Sequence, residues 1–407
     1  MQPTESCVPP VMSPGRGAKM FRVALLDTTV PGEPGSMGRY RDQLAGALDK
    51  YFPDEVSVSV KFLGCERETL NRTPNRLRMW RRHYHIWRSA RNLDVSKYDL
   101  VHLLDGSFGY AAGTVQSDRV VVTVHDVIPR LQMDRVFAGA PPVGRGARWL
   151  IKRSLQGVGA SSMVCSVSQS TADDLSRFDC LPDGGIRVVP NAIETELFEG
   201  SGELSSEVGQ STPYLFHLGN NGFYKNRAGA IEIFKRIHTS VPVRLVLAGP
   251  EPDDSLRQVC NASGVAERIE FVIDPDQKTL TKYYRAAAAF LFPSLYEGFG
   301  WPPLEAMAAG CPVVSSDAGS LREVVGDAGV IASCGDYDTM ARGCERLLID
   351  EVFRDRMIQA GTERVKQFSR KRLAENMMGV YRAVLERNGD GRKMANRTSE
   401  RNRQENG

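Results

Sequence analysis

Glu297-Gly298-Phe299-Gly300-Trp301-Pro302-Pro303-Leu304-Glu305-Ala306-Met307-Ala308-Ala309-Gly310 sets two carboxylates eight positions apart, with two glycines and a Pro-Pro pair between them. Glycine frees a backbone to approach a ligand, and proline is preorganised for the first turn of a helix. Upstream, Ala287-Ala288-Ala289-Phe290-Leu291-Phe292-Pro293 is apolar and predicts a buried strand. Downstream, Leu304 to Ala309 predicts a helix that Gly310 ends. A strand, a glycine turn and a helix N-terminus make an anion site, because unpaired N–H groups and the helix dipole point at whatever binds there.

The same alternation of strand and helix runs through the chain, the mark of doubly wound α/β domains. Phe21 to Leu26 predicts the first strand, followed by a Pro/Gly loop and a helix through Leu44 and Leu48. Leu100 to Leu104, Val120 to Val124, Met163 to Val167 and Ile186 to Ala192 predict the rest of a first sheet. A second cycle begins at Tyr214 to Gly219 and continues through Val243 to Ala248, Ile269 to Ile273, the motif strand and Val313 to Ser315. Two Rossmann-like halves in series place a ligand in the cleft at the strands' carboxyl ends. The expected organisation is a disordered N-terminus (1–19), a first domain (20–200), a Ser/Gly/Glu-rich linker (201–212), a second domain (213–370), a crossing helix (371–388) and a disordered polar tail (389–407).

Composition excludes several classes. At 407 residues, 42% hydrophobic and 25% charged, the chain has the make-up of a soluble globular protein of two domains. A net charge of +3 is too small to make nucleic acid a main partner. No stretch approaches the roughly 18 apolar residues of a membrane span, and Met1 to Lys19 lacks the apolar core of a signal peptide. The eight cysteines are scattered without a Cys-x-x-Cys pair. Free thiols in the cytosol are the expectation.

At Glu297, Glu305 and the following Cys311-Pro312-Val313-Val314 the sequence resembles the family 4 glycosyltransferases, retaining enzymes of GT-B fold whose signature is Glu-x7-Glu. The resemblance extends over roughly residues 21 to 387 and is densest from 214 to 331. It implies an α/β GT-B fold, two Rossmann-like domains facing a deep cleft, with a C-terminal helix after Phe368-Ser369 crossing back to the first domain. The family's tryptophan after that Phe-Ser is Arg370 here. By the same resemblance Glu297 holds hydroxyls of the donor sugar and Glu305 the nucleotide ribose. Gly219, Gly298, Phe299 and Gly300 belong to the donor site, and Lys225 meets the diphosphate. The arginine expected before that lysine is Tyr224, which leaves Arg227 as a candidate substitute. His125, after the strand Val120 to Val124, matches the family histidine that meets the donor sugar, and joins Glu297 and Lys225 as the catalytic set. Gly35, Ser36 and Gly38 resemble a loop beside acceptor and diphosphate. Asn191 is expected to fix the exit toward the hinge, and Ser316 to Ser320 and Glu323 to serve packing.

The function so implied is hexosyl transfer from a GDP- or UDP-linked sugar to a hydroxyl of a glycan, lipid-linked or small-molecule acceptor. No cofactor or metal is expected, since no Asp-x-Asp cluster ends a strand and Lys225 with the helix N-terminus can meet the phosphate charge. Two carboxylates also admit a glycosidase pair. The fold also admits a nucleotide-sugar epimerase, a phosphorylase, or a non-catalytic sugar-nucleotide-binding subunit of a transferase complex. Finally, Asn71 to Arg91 carries seven arginines and no acidic residue, interleaved with Trp80, Tyr84 and Trp87. Such a segment predicts a helix with a solvated basic face, or one in peripheral contact with an anionic membrane.

Overall fold

The computed structural model describes residues 20–31, 35–178, 181–198, 212–238 and 242–404, with side chains up to residue 387. The N-terminal segment 1–19 and nearly all of the expected linker therefore lie outside the described residues.

Two parallel six-stranded sheets form the molecule. The first holds β1 (Phe21–Asp27), β2 (Val56–Phe62), β3 (Leu100–Leu103), β4 (Val120–Val124), β5 (Met163–Ser166) and β6 (Ile186–Val188), in the order β2-β1-β3-β4-β5-β6. The second holds β7 (Tyr214–Leu218), β8 (Arg244–Gly249), β9 (Ile269–Ile273), β10 (Ala289–Phe292), β11 (Val313–Ser316) and β12 (Val330–Ala332), in the order β12-β11-β10-β7-β8-β9. Central strands such as β4 and β10 are buried along their whole length, which is why they read as unbroken apolar runs. The sequence reading passed over β2 and β12. Val56-Ser57-Val58-Ser59-Val60 alternates at a half-buried sheet edge, and β12 is three residues long.

The direction of winding reverses between β1 and β3 and again between β7 and β10. Crevices at such reversals, outside the carboxyl ends of the strands, are where α/β sheets bind ligands. The two crevices face each other, and the halves are pinned around them. Tyr296 donates its hydroxyl to Asp174 (2.6 Å), and the Trp301 indole N–H donates to the Ala192 carbonyl (3.0 Å). Glu323, expected to serve packing, instead accepts from the backbone N–H groups of Gln169 (2.7 Å) and Ser170 (2.6 Å), at the start of the first-domain helix Gln169–Ser176. A carboxylate there meets orphan donors and the positive end of the dipole.

The last helix, Arg370–Gln404, returns to the first domain. Leu373, Ala374, Met377, Met378, Tyr381 and Val384 bury against Tyr40, Leu44 and Leu48 of the helix Ser36–Tyr51. Within that core Tyr381 pairs with His102 Nδ1 (2.7 Å), and His102 Nε2 with Thr123 (2.8 Å). Arg370, in the place of the family tryptophan, pairs with Glu194. The tail expected to be disordered from 389 is helical through Gln404. A helix already nucleated by packing propagates cheaply, and no proline follows to stop it. No helix among the described residues is long and apolar enough to cross a membrane.

Candidate functional site

β10 delivers the chain to the cleft at Phe292, and the turn after it is fixed from beneath. Ser320 donates its N–H (3.0 Å) and hydroxyl (3.1 Å) to the Glu297 carbonyl, and its hydroxyl also reaches the Phe299 carbonyl (2.6 Å). Gly300 adopts φ +98°, a conformation open to glycine, and caps the helix Trp301–Ala308. That helix starts three residues before Leu304, so the proline pair lies within its first turn. Glu305 is consequently the fifth helical residue, too deep to cap the backbone. Its carboxylate instead accepts from the Tyr284 hydroxyl (2.9 Å) and pairs with Arg39 of the opposite domain.

Lys225 arrives from the carboxyl end of β7. The following Asn226 sits in the left-handed region (φ 53°) and caps the next helix by accepting from Gly229 N–H (3.1 Å). Asparagine tolerates that conformation and serves well as an N-cap. The sharp turn aims Lys225 at the motif, where its ammonium donates to both oxygens of Glu297 (2.8 and 3.0 Å). Gly219 does not reach the cleft wall. A Cβ there would stand 2.9 Å from His217 Nε2 and 3.1 Å from Lys225 Cβ, so its bareness makes room for both side chains. Arg227, the candidate for the cation missing at Tyr224, is not among the residues lining the cleft. It is buried away from the cleft, donating to Asn221 (2.6 Å) and the Pro250 carbonyl (3.1 Å).

The first domain supplies the facing wall. Gly35 and Ser36 line it at the N-terminus of Ser36–Tyr51, whereas Gly38, the third residue of that helix, does not. Arg39 lines it too, with its guanidinium 5.3 Å from the Trp301 ring. His125 donates its Nε2 proton to the Leu104 carbonyl (2.9 Å) and meets the Tyr40 ring edge-on at 4.6 Å. That bond fixes the tautomer and leaves Nδ1 with a lone pair. Burial holds the imidazole below its ordinary pKa, and Asp105 and the Leu104 carbonyl offset this in part.

Besides Arg39, two more cleft residues were not among the expected site residues. Burial, with Asp105 and Glu297 nearby, pushes the Asp126 carboxyl up to about 6 against the opposing pull of its Ile128 N–H bond and Lys225. Asn191 is 1% exposed and lines the cleft, yet neither end of its amide has a partner among the described residues. Together these walls enclose about 480 Å3, lined by Glu297, Gly298, Phe299, Gly300, Glu305, Lys225 and His125 among the expected residues. Two helix N-termini, at Gly35 and Gly300, open into the same space. Among the described residues no three His, Cys, Asp or Glu side chains converge as a metal site.

Residues 44–197 match the family model described as Glycosyltransferase Family 4, and residues 205–364 match the model described as Glycosyl transferases group 1. The chain belongs to glycosyltransferase family 4. This family 4 enzyme is 28% identical over 284 residues to the O-antigen chain mannosyltransferase B of Escherichia coli, an alignment covering 66% of this chain and 71% of the relative. The solved structure of sucrose-phosphate synthase from Thermosynechococcus elongatus shares its fold at a TM-score of 0.73, with 20% identity over 89% of this chain and 98% of that one. HepE from Anabaena, solved in complex with UDP and glucose, does so at 0.66, with 16% identity over 88% and 99%. The expected GT-B architecture is thereby established for the transferase, and the glycosidase reading falls away.

Proposed function

We propose that this enzyme moves a hexosyl group from a nucleotide-diphosphate sugar to an acceptor hydroxyl, with retention of anomeric configuration and without a metal ion. The observation that carries the reading is the Lys225–Glu297 pair, held between two helix N-termini in one cleft. A departing nucleoside diphosphate gathers negative charge, and fixed cations and N–H groups aimed at it lower the barrier. Lys225 and the Gly300 end of the motif helix serve there. Arg39, reaching over from the first domain, supplies the cation that Tyr224 withholds. When Lys225 turns to phosphate, Glu297 is released to accept from donor hydroxyls, and Glu305 takes the ribose. His125 accepts a sugar hydroxyl at Nδ1. The bond from the anomeric carbon to phosphate oxygen breaks, and the bond to the acceptor oxygen forms on the same face. The acceptor proton passes to the leaving phosphate.

The name of the Escherichia coli relative favours a hexose, and the ligands of the Anabaena structure a nucleoside diphosphate such as UDP as its carrier. Acceptor delivery is proposed at a cytosolic membrane surface, because the helix Asn75–Asn92 exposes Trp80, Tyr84 and Trp87 among six arginines. The deciding experiment is turnover with a panel of nucleotide sugars, read by NMR at the new anomeric centre. A retained anomer and full activity in EDTA are expected. An inverted product, or activity lost in chelator and restored by magnesium, would overturn retention or metal independence respectively.

A further inference from the structure

On the far side of Asp126 from the donor cleft lies a second cavity of about 340 Å3. Asp126 lines both. The second cavity is walled chiefly by Met79, Phe108, Val127, Leu150, Leu155 and Val158. It shares His83 and Leu150 with a third, of about 300 Å3, faced by Trp80, Tyr84, Trp87 and Trp149. The three spaces adjoin one another through these shared lining residues, from the donor cleft toward the surface between the helices Asn75–Asn92 and Arg145–Gly159.

Local sequence shapes the space between the two helices. A Cβ at Gly146 would stand 2.5 Å from the Trp80 ring, so glycine there lets Trp80 lie between the helices, its ring 6.4 Å from that of Trp149. His83, at the junction of the second and third cavities, pairs with the Tyr110 hydroxyl (2.9 Å). Burial and the Arg82 charge push His83 down to about 4, so its imidazole is uncharged at neutral pH, and the charged groups along the path are Asp126 at the cleft end, Arg130 and Arg153. The mouth is the opposite. One framing helix carries six arginines, the other three arginines and a lysine, and neither has an acidic residue. A largely apolar path that ends in a one-signed cationic rim complements a hydrocarbon chain rising from an anionic bilayer.

We propose that this channel holds the single hydrocarbon chain of a lipid-linked acceptor, with the acceptor's hydroxyl-bearing head passing Asp126 into the donor cleft. The assignment rests on the transferase reading above and narrows its acceptor to one class.

The test uses the full chain and decyl glucoside below its critical micelle concentration, with methyl glucoside as the chainless control. Titration calorimetry should show the decyl compound binding at least tenfold more tightly. Ala147→Trp fills the second cavity from a partly exposed position and should remove that advantage while leaving affinity for a free nucleoside diphosphate unchanged. Trp149→Ser, at the exposed rim, should lower decyl affinity several-fold without shifting the melting temperature, and keeps the test decisive if the first variant does not fold. Equal binding of the two glucosides by the wild type would overturn the proposal, as would undiminished decyl binding by either folded variant. Failure of the wild type to bind any nucleoside diphosphate would instead sink the transferase reading and is read separately.

Discussion

Asn191 is the residue whose surroundings most demand a ligand. A buried amide without partners costs about 1–3 kcal/mol, and native structures seldom leave one so. Asn191→Leu, close in shape, should therefore leave the melting temperature unchanged or raise it. It should also weaken nucleoside diphosphate binding by about 1–2 kcal/mol, roughly fivefold to thirtyfold, in a calorimetric titration. A variant that loses stability and keeps affinity would return Asn191 to a structural role. Glu297 calls for a different signature. In the proposed mechanism, removing its charge takes away a contact to the reacting sugar, and it also frees Lys225 from its present partner. Glu297→Gln should lower kcat by about 2–4 kcal/mol of transition-state stabilisation and bind the free nucleoside diphosphate as tightly as the wild type or more so. Weakened nucleotide binding at normal turnover would reverse the assignment. Asp126 adds a pH dependence. With its pKa raised to about 6, the carboxylate protonates as the medium falls below that value. The profile of kcat/KM should fall on the acid side of about pH 6, and Asp126→Asn should flatten that limb. An unchanged limb in the variant would assign it to another group.

At the scale of elements, the strand-turn-helix unit around Glu297 was legible because everything that defines it is local. The apolar run, the glycine at positive φ and the prolines of the first turn are contiguous in sequence. Arg39, Asn191 and Glu323 were not legible in the same way. Arg39 meets Glu305 across 266 positions of chain, and Glu323 meets Gln169 across 154. No periodicity or turn chemistry reports such a meeting. Glu323 links the helix Leu321–Val325 to the start of Gln169–Ser176, and so fixes one domain's orientation against the other. Glu323→Ala should cost about 1–2 kcal/mol in urea unfolding, since two orphan N–H groups lose a charged cap. It should raise KM for the donor more than it lowers kcat, because a loosened cleft must be closed by binding energy. A midpoint identical to wild type would mean the cap is not formed in solution. Gly298 marks how close that closure is. A Cβ on it would stand 1.8 Å from the His125 carbonyl, so alanine there wedges the domains apart.

For the whole molecule, the arginine-rich face carries the proposal that the enzyme works at an anionic membrane surface. Arg78 and Arg82 donate to the carbonyls of Thr73 and Thr28, which turns part of their charge inward. Arg76, Arg81 and Arg88 are exposed on the same helix. At roughly 1 kcal/mol per arginine near an anionic surface, replacing these three by serine should weaken sedimentation with anionic vesicles about 100-fold at low salt. Donor binding should be untouched. Wild-type protein that ignores such vesicles would refute the membrane reading. The overall architecture was readable from the alternating elements, and the cleft from the position of the motif at a strand's carboxyl end. The reach of the last helix was not, because residues past Arg387 show no apolar face of their own.

That helix also has a bearing on how the protein comes into being. The face of Ser36–Tyr51 that carries Tyr40, Leu44 and Leu48 is covered by residues from Leu373 onward, which leave the ribosome more than 300 residues later. The nascent first domain thus waits with a bare apolar surface while the second is still being made. Partly synthesised chains expose such surfaces to one another, and chaperones exist to shield them. A transcript broken shortly before codon 373 would yield a polypeptide with both sheets complete and its first half unsealed.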